Sequence, residues 1–379
     1  MKKYIKLDKK SLTVDFENLP NFSTTEEVSP YKDIIGQKRA EQSIDLGLQM
    51  SKKEYNIFIS GRSNTGKTSY IVKKIRDYAK ELPSPKDWCY VYNFQNDKQP
   101  IAISLETGTA NNFKDDMDKF IEEFLKKVPI FFNDQGYERE KNNIIRKYEK
   151  FSSEISNKLS SMAEERSFSV EQDAKGNFLF IPLKNGIKLQ QEEYTHMSQE
   201  DKNLLEETLN ELRLIAIEVD KELLKLNKQM GDELDELDTR IAESIIEDIL
   251  DTLYSKYDSS KKIMDYLTSV KKDIIENLDQ FFDDEDNNGT EKDLLKKVFL
   301  KRYKVNVIVS NCTGKGAPVI FEDSTEYSNI FGKIEYENIM GSVVTNFTMI
   351  SPGSIDLANG GYLIINADKL LNNLDTWKA

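Results

Sequence analysis

The spacing of apolar and polar residues divides the chain into segments of two kinds. Between residues 55 and 105, short β-branched and aromatic runs alternate with one helical run, which is the pattern of an α/β unit. Similar β-like runs return after residue 303, in YKVNVIVSN, VVTNFTMISPG and GGYLIINADKLL. We therefore expect these strands to lie in one sheet that the intervening sequence interrupts.

The interrupting segment, residues 111–282, is charged and contains little proline or glycine. Apolar residues recur there in steps of three and four, the spacing of a coiled-coil seam, at Leu205, Leu209, Leu212, Ala216, Val219, Leu223, Leu226, Met230, Leu234, Leu237 and Ile241. An earlier run can supply the partner helix through Tyr148, Phe151, Ile155, Leu159 and Met162. We expect an antiparallel helical hairpin, and the alternative is a plain helical bundle packed on the core.

A small β-hairpin is predicted at the tip of this helical arm. Residues 175–189 alternate around Pro182 and close at an Asn185-Gly186 turn. The expected domains are a first core part (1–110), the helical insertion (111–282), an acidic linker with a return helix (283–302) and a second core part (303–379).

Composition and charge narrow the class of function. The 379 residues carry a formal net charge of −13 at pH 7, which disfavours nucleic acid as a partner. No apolar run approaches the roughly 20 residues of a membrane span, so we expect no membrane partner and a cytoplasmic location. The single histidine, His196, lies in a polar stretch, and Cys89 and Cys312 read as separate buried thiols, which disfavours zinc sites and histidine-based triads.

One motif carries recognisable chemistry. Residues 61–68 read GRSNTGKT, match G-x-x-x-x-G-K-[ST], and stand between strand-like YNIFIS and a helical run. In this motif backbone N–H groups surround phosphates, Lys67 reaches the terminal phosphates and the Thr68 hydroxyl ligates magnesium. ATP and Mg²⁺ are the expected ligands. The predicted binding residues are Gly61, Arg62, Ser63, Asn64, Thr65, Gly66, Lys67, Thr68 and Ser69, with Thr68 as the metal ligand.

Two further segments bear on the nucleotide. The turn DIIGQK resembles the adenine-pocket segment of AAA+ ATPases, so Ile35 and Gly36 join the predicted binding residues. Hydrolysis in such ATPases needs a strand that ends in Asp-Glu. Here the strand GYLII is followed by Asn366-Ala367, with Asp368 one step beyond. Nucleotide binding is therefore better supported than turnover, and we assign no catalytic residue.

Nearly the whole chain resembles the bacterial Lon-like proteases related to the LonB type. The resemblance rests on the segment around GRSNTGKTS, on GNFLFIPLKNGIKLQQEEY, and on GAPVI, SNIFGKIEY, GSVVTNF and SPGSIDLANGGYLIINADKLL in that order. It implies a P-loop AAA+ parallel sheet interrupted by a long coiled-coil insertion with a β tip. It also implies a homo-oligomeric ring, and a protein or unfolded polypeptide as the substrate of ATP-dependent serine proteolysis in protein degradation.

The sequence departs from this family in two places. Asp356 stands where the family usually has histidine, and Asn366 replaces a carboxylate. The sequence ends at Ala379, before the sensor, arginine-finger, lid and Ser-Lys peptidase elements that the resemblance leads us to expect. This portion alone is expected to bind ATP, to hydrolyse it negligibly and to cleave no protein, and a fragment and a split enzyme both remain open.

Two other classes of protein compete with this interpretation. A non-hydrolysing, nucleotide-dependent scaffold that binds a partner through its coiled coil is favoured by the missing Asp-Glu pair. An ABC-type coiled-coil ATPase needs an S-G-G-x signature and a downstream Asp-Glu strand, and LANGGYLIINA supplies neither.

Overall fold

The computed structural model describes residues 22–29, 36–50, 52, 55–62, 64–173, 176–282, 290–311, 316–339 and 341–379. The chain is a mixture of helices and small sheets. Its helices are α1 Lys38–Gln49, α2 Lys67–Ala79, α3 Ala110–Phe132, α4 Gln135–Glu165, α5 Gln191–Thr195, α6 Gln199–Tyr257, α7 Lys261–Glu276, α8 Thr290–Leu300, α9 Tyr327–Phe331, α10 Ser354–Leu357, α11 Ala367–Asn372 and α12 Leu374–Lys378. Its strands are β1 Asp87–Val91, β2 Ile101–Leu105, β3 Phe168–Gln172, β4 Phe178–Lys184, β5 Ile187–Lys188, β6 Val305–Val309, β7 Val319–Glu322, β8 Lys333–Ile334, β9 Glu337–Ile339, β10 Ser342–Val344, β11 Ile350–Ser351 and β12 Tyr362–Ile365.

A first hydrophobic core joins α1 and α2 to a parallel pair of strands. Its buried side chains are Ile44, Leu48, Ile71 and Ile75. Val319 of β7 and Tyr362 and Ile364 of β12 pack against them, and the two strands run parallel with Val319 opposite Tyr362. This core therefore unites segments from the front and the back of the chain.

A second core lies between an antiparallel sheet and a set of helices. The strands are ordered β2-β1-β6, and β1 pairs antiparallel with both neighbours. Buried residues of these strands join one cluster with residues of α3, α7 and the C-terminal part of α6. Phe113, Phe120, Phe124, Tyr266 and Tyr303 are its largest aromatic members with almost no exposure.

This arrangement differs from the single parallel sheet expected from the sequence. Residues 92–100 connect β1 to β2, which is fewer than the dozen or more residues that a crossover between parallel strands requires, so the two strands pair antiparallel. Residues 55–60 form no strand, although Ile59 packs against the core of α1 and α2. The expected strand character is thus correct for β1, β2, β6 and β12, while the assignment to one sheet is wrong.

The long helices α4 and α6 contact each other in antiparallel orientation. Ion pairs join Glu140 to Arg240 and Lys147 to Glu233, so residue numbers rise along one helix as they fall along the other. The heptad positions of α6 face inward: Leu212, Ala216 and Leu237 are buried, and the other members are partly buried.

The partner series on α4 is only partly correct. Leu159 is buried as expected, but Phe151 and Met162 are exposed, and Ala163 takes a fully buried place instead. Ala163 and Leu159 are one turn apart and so share a helix face. A supercoiled coiled-coil geometry for this pair of helices stays a prediction.

The β tip is larger than the hairpin expected from the sequence. It is a three-stranded antiparallel sheet in the order β3-β4-β5, in which Pro182 lies opposite Phe168. The predicted turn joins β4 to β5 at Asn185 and Gly186, whose φ angles of 57° and 80° suit a tight hairpin. Phe168 and Leu212 form part of a separate small core beneath this sheet.

Other expectations concern the surface. Within the described part of the chain, no helix has the length and apolar character needed to cross a membrane. His196 is exposed at the end of α5, and Cys89 is a buried free thiol. Cys312 lies outside the described residues, as do residues 283–289 of the predicted acidic linker, which α8 follows.

Candidate nucleotide-binding site

The predicted phosphate loop ends in the first turn of α2. Gly66 precedes the helix with φ of 74° and Asn64 has φ of 58°, both in the left-handed region that lets a tight loop enter a helix. Gly66 has no side chain, so it cannot cap the N–H groups at the start of the helix. The N–H groups of Lys67, Thr68 and Ser69 therefore form a helix N-terminus that suits an anion.

Two side chains of the loop form hydrogen bonds with the loop's own backbone. Lys67 folds back over the loop, and its Nζ donates a hydrogen bond to the Gly61 carbonyl oxygen at 2.6 Å. The Thr65 hydroxyl donates to the Arg62 carbonyl oxygen at 2.9 Å, which closes the loop from within. A Cβ built on Gly61 would lie 3.9 Å from Lys67 Cδ, an ordinary van der Waals contact, so the lysine stem lies directly over Gly61.

The remaining predicted residues are placed as follows. Arg62, Thr68 and Ser69 are exposed at the loop and the first turn of α2. Gly36 has φ of 86° and lies two residues before α1. Ile35 and Ser63 lie outside the described residues.

The turn at Gly36 and the phosphate loop lie at the same end of the molecule. An ion pair of 2.8 Å joins Asp45 of α1 to Lys74 of α2. One turn earlier on both helices, Glu41 of α1 lies near Tyr70 of α2. Burial raises the pKa of the Tyr70 hydroxyl, and the negative charge of Glu41 is the second cause. Residue numbers therefore rise together along α1 and α2, so the two helices run parallel and their N-termini are neighbours.

The orientation of α2 places the loop at one edge of the parallel pair. The C-terminal residue of α2, Ala79, accepts a hydrogen bond of 2.9 Å from Ala317 N, just before β7. Tyr78 makes an edge-to-face contact with Tyr362 at the start of β12, with 6.4 Å between ring centroids. The end of α2 thus meets the amino ends of both strands, and its beginning points toward their carboxyl ends, the edge at which open α/β sheets bind ligands.

At that carboxyl edge, Asn366 acts as a helix cap. Its Oδ1 accepts hydrogen bonds from the backbone N–H groups of Asp368 at 3.0 Å and Lys369 at 3.4 Å. Asn366 therefore begins α11 immediately after β12. Asp368 is exposed in the first turn of that helix.

Two carboxylates that the sequence analysis did not select lie at the end of the neighbouring strand. Glu322 is the last residue of β7 and pairs in register with Ile365. Its carboxylate accepts hydrogen bonds from Ser324 N at 2.9 Å and from the Ser354 hydroxyl. The next residue, Asp323, forms an ion pair of 2.6 Å with Lys369. The available sequence signal was the apolar run PVIF followed directly by two acidic residues.

Two family models match parts of the chain. Residues 315–379 match the LonB-like AAA domain, and residues 87–120 match the Lon-like LonC helical domain. The chain is a relative of the Lon-like proteases. No curated protein gives a significant match to it.

The two matches fall on separate cores of this Lon-like chain. The AAA match covers β7 to β12 and the Asn366 cap, and an AAA domain suggests nucleotide binding. The helical-domain match covers β1, β2 and the beginning of α3. Those three elements share one hydrophobic cluster, so this match follows the second core.

Proposed function

We propose that this chain binds ATP with Mg²⁺ through residues 61–68 and forms the nucleotide-binding, substrate-handling part of a Lon-like ATP-dependent serine protease. The observation that carries the proposal is the position of the loop. It lies at the N-terminus of α2, beside the Gly36 turn, toward the carboxyl edge of β7 and β12. ATP bound there carries a terminal phosphoanhydride bond; hydrolysis of that bond transfers the γ-phosphoryl group to water, leaves ADP and releases free energy.

In the proposed complex different residues bind the phosphates, the metal ion and the adenine base. Lys67 exchanges its hydrogen bond with the Gly61 carbonyl for the terminal phosphates, a charge-assisted contact. The N–H groups at the start of α2 bind phosphate oxygens, and Thr68 ligates magnesium. Gly36 lies against the adenine base, and Ile35, which is outside the described residues, is assigned to the same pocket on the resemblance alone.

Substrate handling is assigned to the helical arm. The helix α6 has 59 residues, about 90 Å at 1.5 Å per residue, so it can reach far from the nucleotide. Leu214, Ile217 and Leu224 are more than half exposed on α6 away from its inward heptad face. Exposed apolar side chains of this kind suit binding of an unfolded polypeptide. A homo-oligomeric ring in the cytoplasm, acting in protein degradation, completes the proposal.

The test of ATP binding is calorimetric titration of the purified chain with ATP and Mg²⁺. Lys67→Ala is expected to weaken binding by about tenfold to a hundredfold, because a hydrogen bond to a charged group contributes about 1.5–3 kcal/mol. Lys80→Ala is the matched control, since Lys80 lies at the other end of α2 in an exposed pair with Asp77. Equal affinities for Lys67→Ala and the control would refute the assignment of the loop.

A second candidate function is a scaffold that binds ATP without turning it over. The specific observation in its favour is Asn366, which caps α11 where an ATPase needs a carboxylate. Phosphate release from the purified chain separates the two candidates, with Lys67→Ala as the control for contaminating ATPases. Turnover of about one per second or faster, lost in Lys67→Ala, would exclude the scaffold, and its absence would favour the scaffold for this portion of the protein.

A further inference from the structure

The proposed ATP site lacks a carboxylate on the strand where one is expected. The phosphates of a bound nucleotide carry Mg²⁺, whose remaining ligands are mostly waters held by a nearby acidic side chain. The end of β12 offers only Asn366 and Ala367, and the Asn366 side chain is occupied in capping α11. If the site binds a magnesium nucleotide, the acidic side chain must come from elsewhere on the same edge.

The neighbouring strand β7 ends at the same level. Because Glu322 pairs with Ile365, the residues that follow these two, Asp323 and Asn366, leave the parallel pair side by side. The segment after β7 then continues along α11. There the Thr325 hydroxyl donates to the Lys369 carbonyl oxygen at 3.1 Å, and Lys369 Nζ binds Asp323 Oδ1. Asp323 is therefore held next to the helix turn that Asn366 begins.

The alternation of side chains along β7 distinguishes its two terminal carboxylates. Val319 packs toward α2, and successive residues of a strand point to opposite faces, so Glu322 points away from α2. That assignment agrees with its hydrogen bonds to Ser324 N and to the buried Ser354 hydroxyl. Glu322 is thus committed to the opposite side of the pair, and Asp323 follows it toward the side of α2.

Asp323 also has the accessibility that a carboxylate needs in order to accept hydrogen bonds from metal-bound water. Its side chain is 69% exposed, whereas its partner Lys369 fixes its direction from the first turn of α11. The loop at residues 61–68 faces this same edge, because the C-terminus of α2 is anchored at the amino ends of β7 and β12.

We infer that Asp323, at the carboxyl end of β7, holds the water shell of Mg²⁺ in the ATP complex, in place of the carboxylate missing from β12. The inference rests on the proposed ATP-binding function and deepens it. Asp323 acts through metal-bound water and is therefore a positioning residue. It makes the binding of ATP depend on magnesium without supplying the group that would polarise an attacking water.

The experiment measures ATP affinity by calorimetry in excess Mg²⁺ and again in EDTA, and takes the ratio of the two dissociation constants as the magnesium preference. In Asp323→Asn the preference is expected to fall by about tenfold or more, because a contact between charged groups is lost. Affinity in EDTA should stay as in the native chain, which shows that the loop is intact. A purely structural role would change both affinities alike.

A matched variant tests whether the Asp323 carboxylate itself, rather than a neighbouring charge, sets the magnesium preference. Asp368→Asn removes another exposed carboxylate at this edge. It is expected to retain the native magnesium preference. A loss of preference in Asp368→Asn, or a native preference in Asp323→Asn, would overturn the inference.

The outcomes for the native chain separate this inference from the proposed function. ATP binding that is insensitive to Mg²⁺ in the native chain would overturn the role of Asp323 alone. No ATP binding in either buffer would overturn the proposed function, and the inference with it.

Discussion

The buried carboxylate of Asp87 is expected to hold three parts of the second core together. Asp87 is fully buried at the first position of β1. Its Oδ2 accepts a hydrogen bond of 3.1 Å from Ala110 N, the first residue of α3, and its Oδ1 accepts one of 2.8 Å from Asn311 N, just after β6. Asn311 returns its side-chain amide to the carbonyl oxygen of Pro85 at 3.3 Å.

Replacement of Asp87 by Ala leaves both buried N–H groups without their acceptor. Each unsatisfied buried donor costs about 1–3 kcal/mol, so the free energy of unfolding should fall by about 2–6 kcal/mol. Asp87 also places a negative charge at the N-terminus of α3, and its loss should lower the free energy of unfolding by about another 0.3–1 kcal/mol. The free energy of unfolding of a typical domain is only about 5–15 kcal/mol, so this single change should remove a large part of it. Asp87→Asn keeps one acceptor oxygen and turns an amide donor toward the other N–H, so it should also destabilise.

The assay is denaturant unfolding followed by the fluorescence of Trp88, which adjoins Asp87 in β1. The second tryptophan, Trp377, is exposed and can be replaced by Phe in every protein compared. Asp97→Ala is the control, because Asp97 is exposed in the connection between β1 and β2. If Asp87→Ala and Asp97→Ala unfold at the same denaturant concentration, the carboxylate does not carry the stability assigned to it.

Two more predictions concern the same core. A fragment of residues 87–311 should resist proteolysis and denaturant better than a fragment of residues 111–282. The shorter fragment lacks strands β1, β2 and β6, which pack with Phe113 in one core. Equal resistance of the two fragments would show that the helices are stable without the sheet. Burial, with the Asp87 charge as a second cause, raises the pKa of Cys89 to about 12, so at pH 8 the native thiol should stay unlabelled by a thiol reagent until the chain unfolds. Fast labelling of the native protein, measured with the other cysteine replaced by serine, would contradict this.

The turn that enters α2 at Gly66 could be predicted from sequence because its determinants are local, whereas the strand expected just before it, at residues 55–60, does not form. The left-handed φ at Gly66, the start of α2 directly after it and the position of Lys67 all follow from eight consecutive residues. The heptad face of α6 was likewise predictable, since helical periodicity along one continuous element determines which side is buried. The face of α4 that packs against α6 was less predictable. Phe151 and Met162 fit a heptad, but a neighbouring stripe that includes Ala163 packs inward, and a small residue gives no hydrophobic signal.

The pairing of strands was not available from the same kind of reasoning. A period of two identifies β1, β2 and β6 as strands, but it does not specify their neighbours or directions. The deciding information is non-local: the short connection in residues 92–100, and the aromatic core that forms only when α3 meets α7. The boundary expected at residue 110 illustrates the consequence. We now propose that the helical unit begins near residue 87, where β1 starts.

The carboxyl edge of β7 and β12 shows why sequence analysis can miss acidic residues of a candidate site even when the phosphate-loop motif is recognised. Glu322 and Asp323 stand more than forty positions before Asn366, and nothing in their spacing relates the two places. Only the parallel register, which pairs Glu322 with Ile365, brings the acidic residues beside the asparagine. Loss of a carboxylate from one strand therefore does not remove acidic chemistry from this edge, because a neighbouring strand can supply it. The absence of Asp-Glu after GYLII argues against efficient turnover but leaves magnesium-dependent binding of ATP physically accessible to this fold.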